Sequence, residues 1–282
     1  MSLLLVLSPN LKTSSMKASR LLEDIGFRFE TLLLNLPVEM EEELIELARG
    51  SLSADEFVDE ARRRRVIPEP VGAWEYSARP MLEALPRIEE KFPSLSARCY
   101  GSSEHEFASV NAAVRIAKLT LRTVLRGSVE VEEWRETLLH SLEENREARE
   151  VEAEAIMERV GRSSVCVSDM GGRGLRKSLK SSGILVKIQY VEKPYRFTPL
   201  MVLGRMMARG PVEDEEVERL VRSHLEYIRS YVYRFDNRDR AYYEWVYDKV
   251  PWLRKKIEKE EIAAIDSIIH RNYANDGEWV KD

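Results

Sequence analysis

The chain has 282 residues, of which 44% are apolar and 33% charged, and its formal net charge is −5. This length is enough for one large domain or two ordinary ones, and the apolar content excludes an intrinsically disordered chain. The acidic balance excludes nucleic-acid binding through bulk charge, and 13 glycines and 11 prolines are too few for a fibrous or low-complexity protein.

Cysteine usage and hydropathy indicate the compartment. Cys99 and Cys166 cannot form a disulfide framework or a zinc finger, and both lie in apolar runs, so buried thiols are expected. The apolar run at residues 3–7 is far shorter than the ~18 residues that span a bilayer, and too short for a signal peptide. We therefore predict a cytoplasmic protein without membrane contact.

Arginine outnumbers lysine 31 to 13, which is compatible with the ion-pair networks of a thermophile.

Strand and helix patterns alternate along the first two thirds of the chain. Residues 3–7 form a continuous apolar run, as expected of a strand buried on both faces, and Ser8, Pro9 and Asn10 end it. Further strands are predicted at residues 29–36, 95–100, 164–169 and 184–191. The alternating pattern of the last strand is typical of a sheet edge.

The segments between these strands carry helical periodicity. Ser14 or Ser15 is predicted to cap the first helix, and Ser53 with Glu56 to form a capping box. Pro86 is expected to interrupt the helix in which it lies. The longest helices are predicted at residues 104–125 and 131–160.

The alternation predicts an α/β fold, with a mainly parallel sheet of about five strands flanked by helices. Strand patterns stop near residue 210, and the rest of the chain has helical patterns. We therefore predict two domains, an α/β domain at residues 1–210 and an all-helical C-terminal subdomain at residues 211–282.

Polar segments follow several predicted strands, and ligands of open parallel sheets bind at the carboxyl ends of strands. The segment after the fourth strand is the richest, since its glycines allow close approach of a ligand and its cations begin a helix. Free N–H groups, the helix dipole and the cations all favour an anion. The predicted ligand-binding residues are Asn10, Asp169, Gly171, Gly172, Arg173, Gly174 and Lys177.

His105 is the histidine with the most site-like position, because it follows the carboxyl end of the third predicted strand. With acids such as Glu75, Glu104 or Asp169 it forms a candidate catalytic set. The histidine spacings match no metal-binding pair, so neither a metal nor a cofactor is predicted.

Helical RNases of the kind fused to nucleotide sensors in CRISPR systems carry an arginine shortly before a histidine. Arg219 and His224 match this pattern in the helical part of the chain. They provide an alternative, RNA-processing interpretation of that region.

Four stretches occur in an order that resembles a known superfamily. The first, at residues 3–15, is an apolar strand with a polar loop, and the second, at residues 31–50, is a strand with an acidic helix. The third, at residues 143–160, is a long acidic helix containing arginine, and the fourth, at residues 163–179, is a strand with a glycine-rich loop. This order resembles erythromycin esterase, the ChaN haem-binding proteins and the TraB proteins, over residues 3 to 190.

The resemblance implies hydrolytic chemistry by histidines in two of these loops, either metal-assisted or acid–base. Here the first loop has Asn10, and the second has Gly172 or Arg173. The resemblance therefore implies a divergent member that has lost this route of hydrolysis, which favours a binding role.

Aromatic residues concentrate near the C-terminus. Residues 227–252 contain nine, namely Tyr227, Tyr231, Tyr233, Phe235, Tyr242, Tyr243, Trp245, Tyr247 and Trp252. Tyrosine and tryptophan are enriched among interface anchors, whereas the interleaved acids oppose a phosphate backbone. The pattern predicts a homodimer formed through this region and makes nucleic acid an unfavoured partner.

Three functions are consistent with the sequence. The first is a protein that binds a small anionic molecule, carrying phosphate or carboxylate, at the strand ends. The second is a hydrolase of the esterase or TraB type that uses Glu or Asp residues with His105. The third is an RNA-processing or partner-binding protein that uses the helical C-terminal part.

Overall fold

Five parallel strands form the centre of the fold in a computed structural model of the chain, which describes residues 1–192, 195–254 and 259–271. The strands are β1 (Ser2–Leu7), β2 (Thr31–Pro37), β3 (Ser96–Gly101), β4 (Ser163–Ser168) and β5 (Leu185–Tyr190). Their order is β3-β2-β4-β1-β5, and every neighbouring pair is parallel. The predicted α/β fold with a parallel sheet is confirmed, and β5 lies at an edge as its pattern predicted.

Helices connect the strands and make up most of the remainder. Those within the described ranges are α1 (Lys12–Ile25), α2 (Glu41–Ala48), α3 (Ala54–Arg63), α4 (Val71–Lys91), α5 (Ser103–Arg126), α6 (Val131–Arg159), α7 (Leu175–Ser181), α8 (Pro199–Met207), α9 (Asp214–Tyr227), α10 (Arg238–Lys249), α11 (Pro251–Arg254) and α12 (Lys259–Arg271). A five-residue π-helical segment, Ile228–Val232, extends α9.

Contacts divide the chain into two compact units. The first unit contains Met1–Lys118 and Thr137–Lys193, and the second contains Leu119–Glu136 and Pro194–Asp282. The predicted division at residue 210 stays a prediction, and residues 272–282 of the predicted subdomain lie outside the described part. None of the described helices is both long enough and apolar enough to cross a bilayer.

The apolar strands bury side chains on both faces of the sheet because successive residues of a strand point to opposite sides. In β1, Leu3, Leu5 and Leu7 belong to one core layer, whereas Val6 belongs to the other. Residues of α1 to α4 complete the layer of Val6, and residues of α6 and α7 complete the layer of the leucines. In open parallel sheets ligands bind at the carboxyl ends of the strands, so this edge of the unit is where a site is expected.

Two local predictions are wrong, and a third is confirmed. No serine caps α1, which begins at Lys12 after Leu11 and buries Ser14. Helix α4 continues through Pro86 because its apolar residues pack into the core, and this burial outweighs the ~3 kcal/mol that an interior proline costs. The capping box of Ser53 and Glu56 is present at the start of α3.

Candidate functional site

Charged and aromatic side chains from four elements meet at the carboxyl edge of the sheet. We call this group the strand-edge cluster, and all of it lies in the first unit. It is supplied by β3, by the first turn of α5, by α6 and by the residue after β4. Its members are Tyr100, His105, Glu106, Arg149, Glu152 and Asp169.

Arg149 holds two carboxylates of the cluster in place. Its Nη1 donates to Glu152 Oε2 at 2.6 Å, and its Nη2 donates to both carboxylate oxygens of Asp169 at 2.7 and 2.8 Å. Arg149 and Glu152 are three residues apart on α6, so their side chains lie on one helix face. Burial alone would lower the pKa of Arg149, but Asp169 and Glu152 raise it overall, so the guanidinium stays charged.

Glu152 presents its other oxygen to His105. Glu152 Oε1 lies 3.9 Å from His105 Nε2. Burial raises the pKa of Glu152, whereas the charge of Arg149 and a hydrogen bond with the Asn35 side chain act in the opposite direction. Burial, followed by the charge of Arg149, lowers the pKa of His105. The imidazole is therefore neutral at pH 7 and able to accept a proton.

Glu106 is the carboxyl group of the cluster that titrates near neutral pH. Burial raises its pKa to about 7, and the charges of Glu152 and Asp169 add to this effect. A hydrogen bond with Trp74 acts in the opposite direction. A carboxyl with this pKa can both donate and accept a proton at pH 7.

Three buried polar atoms at this edge, Asn35 Oδ1, Glu152 Oε1 and Ser168 Oγ, make no hydrogen bond of good geometry within the described chain. The side chains of Asn35 and Glu152 nevertheless interact with each other, and Ser168 interacts with Tyr100. Asn35 lies near the carboxyl end of β2 beside Glu152, and Ser168 ends β4. Buried polar groups are almost always paired, so unpaired ones call for an explanation such as a ligand or water. Their concentration at one edge of the sheet marks this edge as the candidate site.

Three glycines allow the backbone to approach polar side chains at this edge. A Cβ atom at Gly101 would lie 2.6 Å from Asn35 Oδ1, and one at Gly172 would collide with Ser168 Oγ. A Cβ atom at Gly171 would lie 2.9 Å from Arg149 Nη2. The glycines of the loop after β4 thus make room for the protein's own side chains.

The predicted anion-binding loop forms a 3-10 helical turn, Met170–Gly174, before α7. Asp169 caps this turn, because its Oδ1 accepts from the Gly172 N–H at 3.0 Å. Gly174, Arg173 and Lys177 are exposed. The cations Arg173, Arg176, Lys177 and Lys180 form no ion pair within the described part of the chain.

The other predicted site residues have different surroundings. His105 and Asp169 both contact the network around Arg149, whereas Glu104 and Asn10 are exposed. Glu75 accepts a hydrogen bond from Arg79 Nε at 2.6 Å. The structure therefore brings together two of these predicted residues.

Sequence interpretation missed Glu106, Arg149 and Glu152. Helix α6 is charged along its whole length, so its composition gives no signal that one charged face is buried. Glu106 lies next to His105, and only its burial distinguishes it from exposed Glu104.

Arg219 and His224 lie in different environments. The His224 ring packs edge-on against Trp134, with 6.0 Å between ring centroids, and burial lowers its pKa to about 4. Arg219 is exposed and donates two hydrogen bonds to Glu216. Of the aromatic residues near the C-terminus, Tyr227, Tyr231, Tyr242 and Trp245 are buried within the second unit, whereas Tyr233 and Trp252 are exposed.

No group of three or more His, Cys, Asp and Glu side chains among the described residues is arranged to hold a metal ion. Comparison of the chain with models of protein families, with curated proteins and with solved structures finds no match.

Proposed function

We propose that the protein is a hydrolase that uses the strand-edge cluster for general acid–base catalysis. The observation that carries this proposal is the buried carboxyl group of Glu152, one oxygen of which lies 3.9 Å from His105 Nε2. A carboxylate beside an imidazole orients the ring and stabilises its protonated form, as catalysis by a histidine base requires.

Each residue then has a defined role. His105 accepts a proton from water as the water oxygen attacks the carbonyl carbon of an ester. Glu152 stabilises the imidazolium that forms, and Glu106 in its protonated form gives its proton to the departing alcohol. Arg149 is a positioning residue because it donates to the Glu152 carboxylate, and Asp169 positions Arg149 in turn by accepting from its other terminal nitrogen.

The resemblance to the esterase and TraB superfamily supports an ester as substrate. In this proposal the chain is a divergent member in which Asn10 replaces the histidine of the first loop, and Gly172 or Arg173 replaces that of the second. The acid–base pair comes instead from the first turn of α5, where His105 and Glu106 follow β3.

The experiment measures hydrolysis of p-nitrophenyl acetate, butyrate and phosphate by the wild type and by the variants His105→Asn, Glu106→Gln and Glu152→Gln. We expect each variant to lower kcat at least ~100-fold on the substrate that the wild type cleaves. The matched control is His140→Asn, since His140 faces Glu144 at 3.5 Å on α6 but is exposed. Absence of turnover by the wild type, or equal activity of His105→Asn and His140→Asn, would contradict the proposal.

A second candidate function is the binding of a small anionic molecule at the same edge. The observation that favours it is the exposed, unneutralised positive charge of Arg173 and Lys177 beside Asp169. The double variant Arg173→Ala with Lys177→Ala is expected to weaken binding of a phosphorylated ligand several-fold in calorimetry. Unchanged affinity would remove this candidate.

A further inference from the structure

A pocket of about 200 Å³ lies within the second unit. The segment before α8 and the helices α8, α9 and α10 line it. Its volume is below the ~300–1,000 Å³ of pockets for drug-sized ligands, so its ligand is compact. The proposed hydrolase function makes no use of this pocket.

Positive charge dominates the polar side of the pocket. Arg196, Arg219 and Lys249 line it together with one acid, Glu226. The charge of Glu226 is paired, because its Oε1 accepts a hydrogen bond from Lys249 Nζ at 2.7 Å. Arg196 makes no ion pair with any residue that the structure describes. Arg219 donates two hydrogen bonds to Glu216, which does not line the pocket, so Arg196 is the cation of the described lining that has no ion pair. Its charge favours an anion.

The rest of the lining is apolar. Val202 on α8, Leu220 on α9 and Trp245 on α10 contribute apolar surface, and Trp245 is fixed by an edge-on contact with Tyr227 at 5.3 Å between ring centroids. Arg205 lies over the ring of Phe197, another lining residue, at 4.2 Å. A pocket with apolar walls and a few convergent charged groups is the usual form of a small-molecule site.

We propose that this pocket binds a small molecule that carries a phosphate or carboxylate on a compact apolar body, such as a single ring. The anion pairs with Arg196, which can donate two parallel hydrogen bonds to such a group. Arg219 joins it by exchanging its hydrogen bonds with Glu216 for hydrogen bonds with the anion. The apolar body lies against Val202 and Trp245. Lys249 contributes when its pairing with Glu226 is weakened.

The test is calorimetric titration of the full chain with phenylphosphonate, whose phosphorus–carbon bond an esterase does not cleave. Arg219→Ala should raise the dissociation constant at least fivefold. The matched control is Arg222→Ala, because Arg222 is also an exposed arginine of α9 paired with a glutamate but does not line the pocket. We expect it to change the constant less than twofold.

Two further variants separate a real pocket from general surface charge. Glu226→Gln removes the one acid of the lining and releases Lys249, so binding should become two- to fivefold tighter. Val202→Trp fills the apolar side and should abolish binding, with circular dichroism as the check on folding. Benzyl alcohol, which lacks the anion, should bind at least tenfold more weakly than phenylphosphonate.

Failure of the wild type to bind phenylphosphonate below ~10 mM would overturn the proposal, as would equal effects of Arg219→Ala and Arg222→Ala. The His105→Asn variant should bind phenylphosphonate as the wild type does. Loss of esterase activity and loss of binding in this pocket are therefore distinguishable outcomes.

Discussion

Glu106 occupies the first turn of α5 with a carboxyl whose pKa burial raises from 4.5 to about 7. The folded protein therefore holds this proton more tightly than the unfolded chain does. Between pH 4.5 and 7 the folded state binds the extra proton, so the contribution of Glu106 to the free energy of unfolding falls as pH rises through this window. Above pH 7 the charged carboxylate destabilises the fold.

The variant Glu106→Gln should remove this pH dependence. Relative to the wild type, its free energy of unfolding should rise between pH 4.5 and 8 by at most about 3 kcal/mol. Urea unfolding at several pH values measures the difference. Glu104→Gln, at the exposed neighbouring acid, is the control, and a flat difference for both variants would contradict the assigned pKa of Glu106.

Gly172 is a position where a single methyl group should be costly. A Cβ atom there would lie 2.6 Å from Ser168 Cβ and 3.3 Å from Leu7 Cδ2. We expect Gly172→Ala to lower the free energy of unfolding by about 1–3 kcal/mol. Gly174→Ala should change it by less than about 0.5 kcal/mol, because a Cβ atom at Gly174 has no neighbour within 4 Å and its φ is −63°. Similar losses in both variants would argue against the close approach at Gly172.

Position after a strand identified Asp169 and His105 from sequence alone. Asp169 directly follows β4, His105 lies in the first turn of the helix after β3, and parallel strands end at one edge. Arg149 and Glu152 could not be identified by their position after a strand, because they lie within a long charged helix. Their burial arises from packing of α6 against the sheet, which depends on contacts between residues far apart in the chain.

At the scale of elements, Tyr242 joins α10 to the segment before α8. Its hydroxyl accepts from the Arg196 N–H and donates to the Arg196 carbonyl, both at 3.0 Å, and its ring stacks on Tyr195. Tyr242→Phe removes both hydrogen bonds and should cost about 1–2 kcal/mol of unfolding free energy. Tyr233→Phe is the control, because Tyr233 is 81% exposed. Equal thermal shifts for the two variants would contradict this role.

The strands were predicted to within about two residues, because continuous apolar runs such as that of β1 have few alternative structures. Prediction failed where packing overrides local preference. Pro80 and Pro86 both lie inside α4, whose Leu82, Leu85 and Ile88 are fully buried. The predicted homodimer stays a prediction, although burial within the second unit already accounts for four of the aromatics assigned to it, Tyr227, Tyr231, Tyr242 and Trp245.

For the whole molecule, the strand order has a consequence during synthesis. β1 lies between β4 and β5, so its partners leave the ribosome about 160 residues after it, on the order of 10–30 s later at ~5–20 residues per second. Throughout that interval the nascent apolar strand has no sheet to join and is a target for chaperones that bind extended apolar segments. A chain stopped after residue 162 lacks both partner strands and should show no cooperative thermal transition, whereas stalled chains that include residue 190 should become resistant to protease.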